Sequence, residues 1–298
     1  MPARNLVLVG ASLVMALAGG VALGTGVLDG GDPEPAAASD RPAPQATPKD
    51  TAARAVADAY RASLGAAPVA GRLTGRSVVL VTLPGAPKTS VEAVGTAVRS
   101  AGGTVVGTVA FTDRLLDPAD RQFTSGIAAQ ALKGVADTDT SGLANYEIVA
   151  AALGRGLSAQ ATTPLDASAQ TVLAAFSAGK LITAEPLPTH RAQLAVVVTG
   201  AGRTFSSGRG ELLTTLAAGL DAAGVGTLVA GPVGSGARGG AVEAVRDGTG
   251  ADALSTVDVV GIPFGDVATV VALQREAAGT AGHFGTSGAV DGPLPPVA

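Results

Sequence analysis

The stretch QLAVVVTG, Gln193–Gly200, indicates the fold more directly than any other part of the sequence. Its apolar residues are consecutive rather than alternating, which is typical of a strand buried on both faces of a parallel sheet. A Gly-rich loop follows, then a helix from about Gly210 to Ala223 and a second apolar run, VGTLVAGP. This strand–helix–strand order predicts a parallel sheet with helices packed against it.

The same order occurs earlier in the chain. SVVLVTL, Ser77–Leu83, precedes a predicted helix over Thr89–Ala101 and the apolar run TVVGTVAF. The segments VRSAGGTVVGTVA and LDAAGVGTLVAGP occupy equivalent places in the two units. We therefore predict an α/β domain over residues 71–288, a doubly wound, mostly parallel sheet built from two related strand–helix–strand halves.

The remaining elements of this domain follow from local patterns. Three helices are predicted between the halves, beginning near Pro118, Ser141 and Pro164, and a further strand, KLITA, comes before the second half. After the second half, ALSTVDVV is predicted as an edge strand and Asp266–Ala278 as a closing helix. Residues 289–298, with three prolines, are predicted to form a loose tail.

The N-terminal part contains a long apolar stretch. Leu6–Leu28 has 23 uncharged residues, enough to cross a hydrocarbon core of about 30 Å as a helix. The alternative is a cleaved signal peptide with Ala16-Leu17-Ala18 as the cleavage site, but the apolar residues continue well beyond that site. We predict an uncleaved transmembrane helix. Arg4 precedes it and acidic residues follow it, which predicts that residues 1–5 are cytoplasmic and the remainder is extracytoplasmic.

Two connecting segments join this span to the α/β domain. Residues 29–49 are rich in Pro and Ala and show no apolar periodicity, which predicts a disordered linker. Residues 50–70 are predicted to form a short amphipathic helix and a connection, with Thr47 or Asp50 as the helix cap.

Composition excludes several functions. The net charge is −4 and no basic stripe is present, so we expect no nucleic-acid partner. The chain has no cysteine, which removes disulfides, thiolate metal sites and cysteine nucleophiles. No G-x-S-x-G motif is present, and we expect a protein that is not an enzyme.

One motif nevertheless resembles that of an enzyme. GSGARG, Gly234–Gly239, matches the dinucleotide-binding pattern G-x-G-x-x-G, and Asp258 lies about where a ribose-binding acid belongs. However, Gly231-Pro232-Val233 separates the predicted strand from the first glycine, and the next predicted helix, Ala241–Arg246, is short. A surface loop is the alternative interpretation, and with 42 glycines in the chain such a match arises easily by chance.

Metal ligands are scarce. The chain has two histidines, His190 and His283, and two methionines, Met1 and Met15. Copper prefers thiolate, thioether and imidazole ligands, so composition argues against a multi-ligand copper site within one subunit. His190 lies in a Pro- and Thr-rich connection and is expected to be exposed. His283 is the candidate metal ligand, and the alternative is a turn residue whose ring bonds to a backbone carbonyl.

His283 lies in the segment GHFGTSG, Gly282–Gly288. Together with LSTVD, VATVVALQREAAGTAGHFGTSG, the VVVTG and GTLVAG strands and the apolar span, this segment resembles the actinobacterial copper transport outer-membrane protein (MctB) family. The resemblance covers nearly the whole chain in order, and its C-terminal part is the most specific. The chain differs at one place: a Pro/Ala linker and a short helix stand where the family has a long charged coiled-coil-like helix.

The resemblance implies a role in copper efflux or channel formation, an outer-membrane location and copper as the transported ion. We expect no resident cofactor. One apolar helix cannot enclose a water-filled path, so conduction would require a homo-oligomer. Two alternatives remain. One is an extracytoplasmic binding or scaffold module whose ligand lies at the carboxyl ends of the strands, near Pro84-Gly85 and Gly200–Gly208. The other is a degenerate dinucleotide- or amidotransferase-like fold.

Overall fold

A seven-stranded sheet is at the centre of the domain in the computed structural model, which describes residues 47–62, 69–135, 138, 140–202 and 205–296. The strands of this sheet are β1 (Ser77–Thr82), β2 (Thr104–Phe111), β4 (Ile182–Thr183), β6 (Leu194–Val198), β7 (Gly226–Pro232), β8 (Ser255–Val260) and β9 (His283–Phe284). A separate two-stranded sheet pairs β3 (Thr163–Pro164) with β5 (His190–Arg191).

The order of the strands confirms a mixed α/β fold with a mostly parallel sheet. The order is β4-β2-β1-β6-β7-β8-β9, and every neighbouring pair is parallel except β2 with β4. The first strands of the two predicted units, β1 and β6, lie side by side, with Val78 opposite Leu194. From this pair the chain winds outward in both directions, so the strand order reverses between β1 and β6.

Eight α-helices accompany the sheets in the described residues: α1 (Pro48–Ala62), α2 (Lys88–Ser100), α3 (Arg121–Leu132), α4 (Asn145–Leu157), α5 (Ala167–Ala178), α6 (Ser207–Ala223), α7 (Ala241–Arg246) and α8 (Gly265–Glu276). Helices α3 to α7 pack on one face of the large sheet, and α1, α2 and α8 pack on the other. Both cores consist mainly of Val, Leu and Ala, as the shortage of aromatic residues requires.

The N-terminal end of α1 has a reciprocal cap. Thr47 Oγ1 accepts a hydrogen bond from the Asp50 N–H at 3.2 Å, and Asp50 Oδ2 accepts one from the Thr47 N–H at 3.1 Å. The helix therefore begins at Pro48, and its first two residues lie within the segment assigned to the linker from sequence. No helix in the described part of the chain combines the length and apolar character needed to cross a membrane, and the predicted span Leu6–Leu28 lies outside that part.

The structure corrects the prediction for the strand in ALSTVDVV. Strand β8 is buried along its whole length and pairs with β7 on one side and β9 on the other, so it is not an edge strand. The adjacent position is taken by His283 and Phe284 of the Gly-rich segment, where Thr256 lies opposite His283. A two-residue strand between glycines has no periodicity to reveal it.

The C-terminal tail also differs from prediction. Residues 289–296 come to lie beside β9, where the Gly285 N–H donates to the Gly292 carbonyl at 2.9 Å and the Asp291 N–H donates to the His283 carbonyl at 2.7 Å. Gly292 forms a parallel bridge with Phe284. These bonds hold the tail against the edge of the sheet, because they satisfy backbone groups that an edge strand leaves unpaired.

Candidate functional site

The segment GHFGTSG is fixed at the edge of the sheet by a buried ion pair. Arg246 of α7 and Asp258 of β8 have side chains that are 1% and 0% exposed, and Arg246 Nη1 lies 3.2 Å from Asp258 Oδ2. The loop after β9 closes over this pair. The Thr286 N–H donates to Asp258 Oδ1 at 2.7 Å, and the Ser287 N–H donates to Asp258 Oδ2 at 3.0 Å.

Arg246 binds the same segment by donating hydrogen bonds to two of the segment's carbonyl groups. Nη2 donates to the Phe284 carbonyl at 3.0 Å, Nη1 donates to the Ser287 carbonyl, and Nε donates to Thr256 Oγ1 at 2.8 Å. Burial raises the pKa of the Asp258 carboxyl, whereas the charge of Arg246 and the two amide donors oppose that rise. The geometry is that of a charged pair whose hydrogen-bonding groups are engaged, which makes a buried pair tolerable.

Two glycines provide the space that Asp258 needs. Gly285 has φ +143°, and a Cβ there would lie 1.7 Å from Asp258 Oδ1. A Cβ at Gly236 would lie 2.1 Å from Asp258 Oδ2. Only a residue without a side chain fits at these positions, so glycines of two distant sequence motifs surround one carboxylate.

His283 is half-buried beside this pair. Its Nδ1 lies 3.2 Å from Thr256 Oγ1. The Thr256 hydroxyl already accepts a hydrogen bond from Arg246 Nε, so the proton of the hydroxyl is available to His283 Nδ1. This arrangement favours the neutral ring with its proton on Nε2. Burial lowers the pKa of His283, and the positive charge of Arg246 lowers it further. The His283 ring therefore contacts the side-chain hydroxyl of Thr256. A backbone carbonyl was the alternative partner that the sequence predicted for this ring.

The two histidines belong to different sheets. His190 lies in β5, partly buried, with Nδ1 3.0 Å from Thr189 Oγ1, and His283 lies in β9. In the residues that the structure describes, no three His, Cys, Asp or Glu side chains come close enough to hold a metal ion. With Nδ1 of His283 directed at Thr256, Nε2 is the ring nitrogen left for a metal.

The G-x-G-x-x-G segment has a structural role in this fold. Gly234–Gly239 forms turns between β7 and α7, and Gly236 lies against Asp258. The Asp258 carboxylate is enclosed by Arg246 and two amides, so it is not available to a ribose hydroxyl. This geometry does not support the dinucleotide interpretation.

The carboxyl edge of the sheet is only partly open. Between β1 and β6, where the strand order reverses, a Cβ at Gly200 would lie 2.4 Å from the Gly85 carbonyl oxygen. The two loops therefore touch through their backbones at the place where doubly wound proteins bind ligands. A cleft of about 500 Å³ lies further along the edge and is lined by residues including Thr47, Lys49, Ser90, Ala201, Gly234 and Ile262.

Comparison with known proteins agrees with the resemblance given by the sequence motifs. The profile of the family described as "Copper transport outer membrane protein, MctB" matches residues 1–295. The chain belongs to the MctB family. It is 30% identical over 239 residues to the copper transporter MctB of Mycobacterium tuberculosis, an alignment covering 77% of this chain and 76% of the relative. It is 31% identical over 227 residues to the copper transporter MctB of Mycobacterium leprae, covering 72% and 71%.

Sequence reasoning for this MctB-family chain missed Arg246 and Thr256. One signal was present: Asp258 is a charged residue inside the apolar run STVDVV. A carboxylate in a buried strand requires a cation or several donors nearby, which predicts a buried partner but not its identity. Arg246 is twelve positions away on a six-residue helix, and the fold alone brings the two together.

Proposed function

We propose that this chain is a single-pass envelope protein whose α/β domain takes part in copper transport. The observation that carries the proposal is the family match over residues 1–295, which includes the apolar stretch and the α/β domain in one alignment. The proposal assigns the protein a transport role and no catalytic step.

The proposed topology follows from the charges around the apolar stretch. Residues 1–5 would be cytoplasmic, Leu6–Leu28 would cross the membrane, and the α/β domain would be extracytoplasmic. The family description supports an outer-membrane location. Protease added to spheroplasts should digest the domain and leave a membrane-bound fragment, whereas a soluble protein beginning near Gly19 would identify the span as a cleaved signal.

Copper would be cargo in this proposal, and its path would require a homo-oligomer. A single helix per subunit encloses no aqueous path, so several subunits would have to surround one. Symmetry could then bring His283 Nε2 from each subunit towards a shared axis, which a single subunit cannot do. His283 therefore remains our proposed copper contact.

The decisive experiment measures cell-associated copper by mass spectrometry in an actinobacterial host with and without the gene. We expect the deletion strain to accumulate severalfold more copper under copper load, and the wild-type gene to restore the original level. Zinc measured in the same samples is the control, since a general envelope defect would change both metals. Equal copper in the two strains contradicts the proposal.

A second candidate is an extracytoplasmic binding or scaffold module. The cleft of about 500 Å³ at the carboxyl edge favours this function, because α/β proteins bind small ligands at that edge. In that case deletion would leave copper unchanged, and a substitution that fills the cleft at an exposed position, such as Ala201→Trp, would abolish ligand binding.

A further inference from the structure

The cleft at the carboxyl edge of the sheet has the size of a small-molecule site. Its volume is about 500 Å³, and its walls come from the start of α1, the first turn of α2 and the loops that follow β6, β7 and β8. The apolar part of the wall consists of Pro87, Pro232, Val233, Val260 and Ile262. Pockets for small molecules usually measure about 300–1,000 Å³, so the cleft can hold an organic molecule as well as a single ion.

The first turn of α2 begins without a side-chain cap, because Pro87 at the N-cap makes no hydrogen bond to the helix. The Ser90 N–H donates to the Pro87 carbonyl at 3.0 Å, whereas the N–H groups of Lys88 and Thr89 have no acceptor among the described residues. The positive end of the α2 dipole lies at the same place. Free N–H groups and the dipole together favour an anion at this end of the helix.

The Ser90 side chain indicates a ligand independently of the helix dipole. Ser90 lines the cleft and is 4% exposed, yet its hydroxyl has no hydrogen-bond partner in the residues that the structure describes. In α8, by contrast, the buried Thr269 hydroxyl donates to the Gly265 carbonyl at 2.8 Å. A buried hydroxyl without a partner is unfavourable, so a ligand that bonds to Ser90 Oγ would remove this penalty.

The charge of the cleft wall comes from Lys49 of α1, which is exposed and forms no ion pair within the described part of the chain. The carboxylate of the next residue, Asp50, accepts hydrogen bonds from the Thr47 N–H at 3.1 Å and from the Thr47 hydroxyl at 2.7 Å, and Asp50 does not line the cleft. The cleft wall therefore carries a positive charge and no carboxylate.

We propose that this cleft binds a small organic phosphate, with its phosphoryl group against the first turn of α2 and its organic part against Pro232 and Val233. The donors at this end of the cleft are the free N–H groups of α2, the hydroxyls of Thr89 and Ser90 and the Lys49 ammonium. A phosphate monoester has three terminal oxygens and a charge of roughly −1.5 to −2. It matches these donors better than a carboxylate, which has two oxygens and one charge.

This inference rests on the binding module given above as the second candidate function, and it names the class of ligand. A phosphate site is also compatible with copper transport by the same chain. Binding is measured on the purified protein without copper, so it can fail while copper transport stands, and the reverse also holds.

Calorimetric titration of the full chain in detergent and phosphate-free buffer tests the ligand class, with phenyl phosphate as the probe. We expect saturable binding of one phenyl phosphate per chain. Inorganic phosphate should compete at the same site but bind at least about tenfold more weakly, because it lacks the ring that contacts the apolar wall. Phenol, which lacks the phosphoryl group, should not bind. Absence of phenyl phosphate binding, or equal affinity for phenol or inorganic phosphate, would overturn the proposal.

Ser90→Ala tests the site without disturbing the fold. The substitution breaks no hydrogen bond of the described structure, and alanine is the better helix former, so the variant should be at least as stable as the wild type. Its affinity for phenyl phosphate should nevertheless fall at least about tenfold, because a hydrogen bond to a charged group is lost. Ser100→Ala, exposed at the other end of α2, is the matched control and should bind as the wild type does. Unchanged affinity in Ser90→Ala would overturn the proposal.

Lys49→Gln tests the charge of the wall. The variant should bind phenyl phosphate several-fold more weakly, and added salt should weaken its binding less than that of the wild type, because screening acts on the ammonium. Lys133→Gln, exposed after α3 and away from the cleft, is the control. Equal losses in the two lysine variants would show a general charge effect and overturn the proposed site.

Ala201→Trp tests the location of the site without removing a donor. Ala201 is exposed in the wall that follows β6, so an indole there should fill the cleft and abolish phenyl phosphate binding while the circular dichroism of the domain stays unchanged. Thr96→Trp, exposed on α2 outside the cleft, is the control and should retain binding. A folded Ala201→Trp variant that binds as the wild type does would overturn the proposal, since the ligand would then lie elsewhere.

Discussion

Arg246 Nη1 and Asp258 Oδ2 lie 3.2 Å apart inside the domain, and this pair organises its C-terminal edge. The guanidinium donates to the carbonyls of Phe284 and Ser287, while the carboxylate accepts from the amides of Thr286 and Ser287. The positive charge thus binds carbonyl groups and the negative charge binds amide groups of the same Gly-rich segment. The conformation of the Gly-rich segment therefore depends on two residues that lie before it in the chain.

Breaking this pair should destabilise the domain. Asp258→Asn leaves the Arg246 charge buried without a counterion, so we expect the free energy of unfolding to fall by about 3–5 kcal/mol. Asp120→Asn is the control, because Asp120 pairs with Arg114 at a surface where the side chains are 33% and 40% exposed, and its loss should be below about 1 kcal/mol. Urea unfolding followed by circular dichroism measures both. Equal losses for the two variants would contradict the structural role of the pair.

Gly285 should not tolerate a side chain. The methyl group of Gly285→Ala would overlap Asp258 Oδ1, so the loop must move and its amides must leave the carboxylate, at an expected loss of at least about 2 kcal/mol. Gly126→Ala is the contrasting substitution: Gly126 is exposed within α3 and has open space at its Cβ position, so alanine should stabilise the domain by about 0.5–1 kcal/mol. Urea midpoints of the two variants should therefore move in opposite directions.

The stability of the domain should depend on pH through Glu276. Burial raises the pKa of this carboxyl to about 7, and the nearby Asp221 charge adds to the rise, while hydrogen bonds from Ser255 oppose it. The folded state holds the proton more tightly than the unfolded chain. The contribution of Glu276 to the free energy of unfolding is therefore greatest below about pH 4.5, and it falls by roughly 3 kcal/mol as pH rises to about 7.

Glu276→Gln should remove most of this dependence, because the amide does not titrate. Glu92→Gln, on the exposed side of α2, should retain it. Unfolding free energies measured between pH 5 and pH 8 in both variants test the assignment. A pH dependence that persists unchanged in Glu276→Gln would assign the effect to another group.

His283→Ala separates a structural role from copper binding. The substitution leaves the Thr256 hydroxyl without the ring nitrogen it contacts at 3.2 Å, and we expect a loss of about 1–2 kcal/mol. One imidazole leaves most copper coordination positions to water, so copper affinity of an isolated subunit should change little. Calorimetric titration with copper and urea unfolding, with His190→Ala as the control, measure the two effects. Tight stoichiometric binding by the isolated subunit that is lost in His283→Ala, with unchanged stability, would contradict this prediction and show that one subunit binds copper without a symmetry partner.

The regular elements of the large sheet could be predicted from local sequence. SVVLVTL and QLAVVVTG are uninterrupted apolar runs bounded by turn residues, and Val172, Leu173 and Phe176 have the helical spacing of a buried face, which the structure confirms. A strand buried on both faces requires consecutive apolar residues, and a helix buried on one side requires apolar residues at helical spacing. Both kinds of burial can therefore be read from the local sequence.

The environment of Asp258 left no such trace. The carboxylate is surrounded by Arg246 from one helix, Gly236 from a turn and Thr286 from the loop after the last strand, groups that are adjacent only once β8 lies between β7 and β9. The interior position of β8 likewise depends on the two residues His283 and Phe284, which are too few to show periodicity. Sequence patterns record how each segment meets solvent, whereas the pairing of a buried charge depends on distances between segments, which only the folded chain sets.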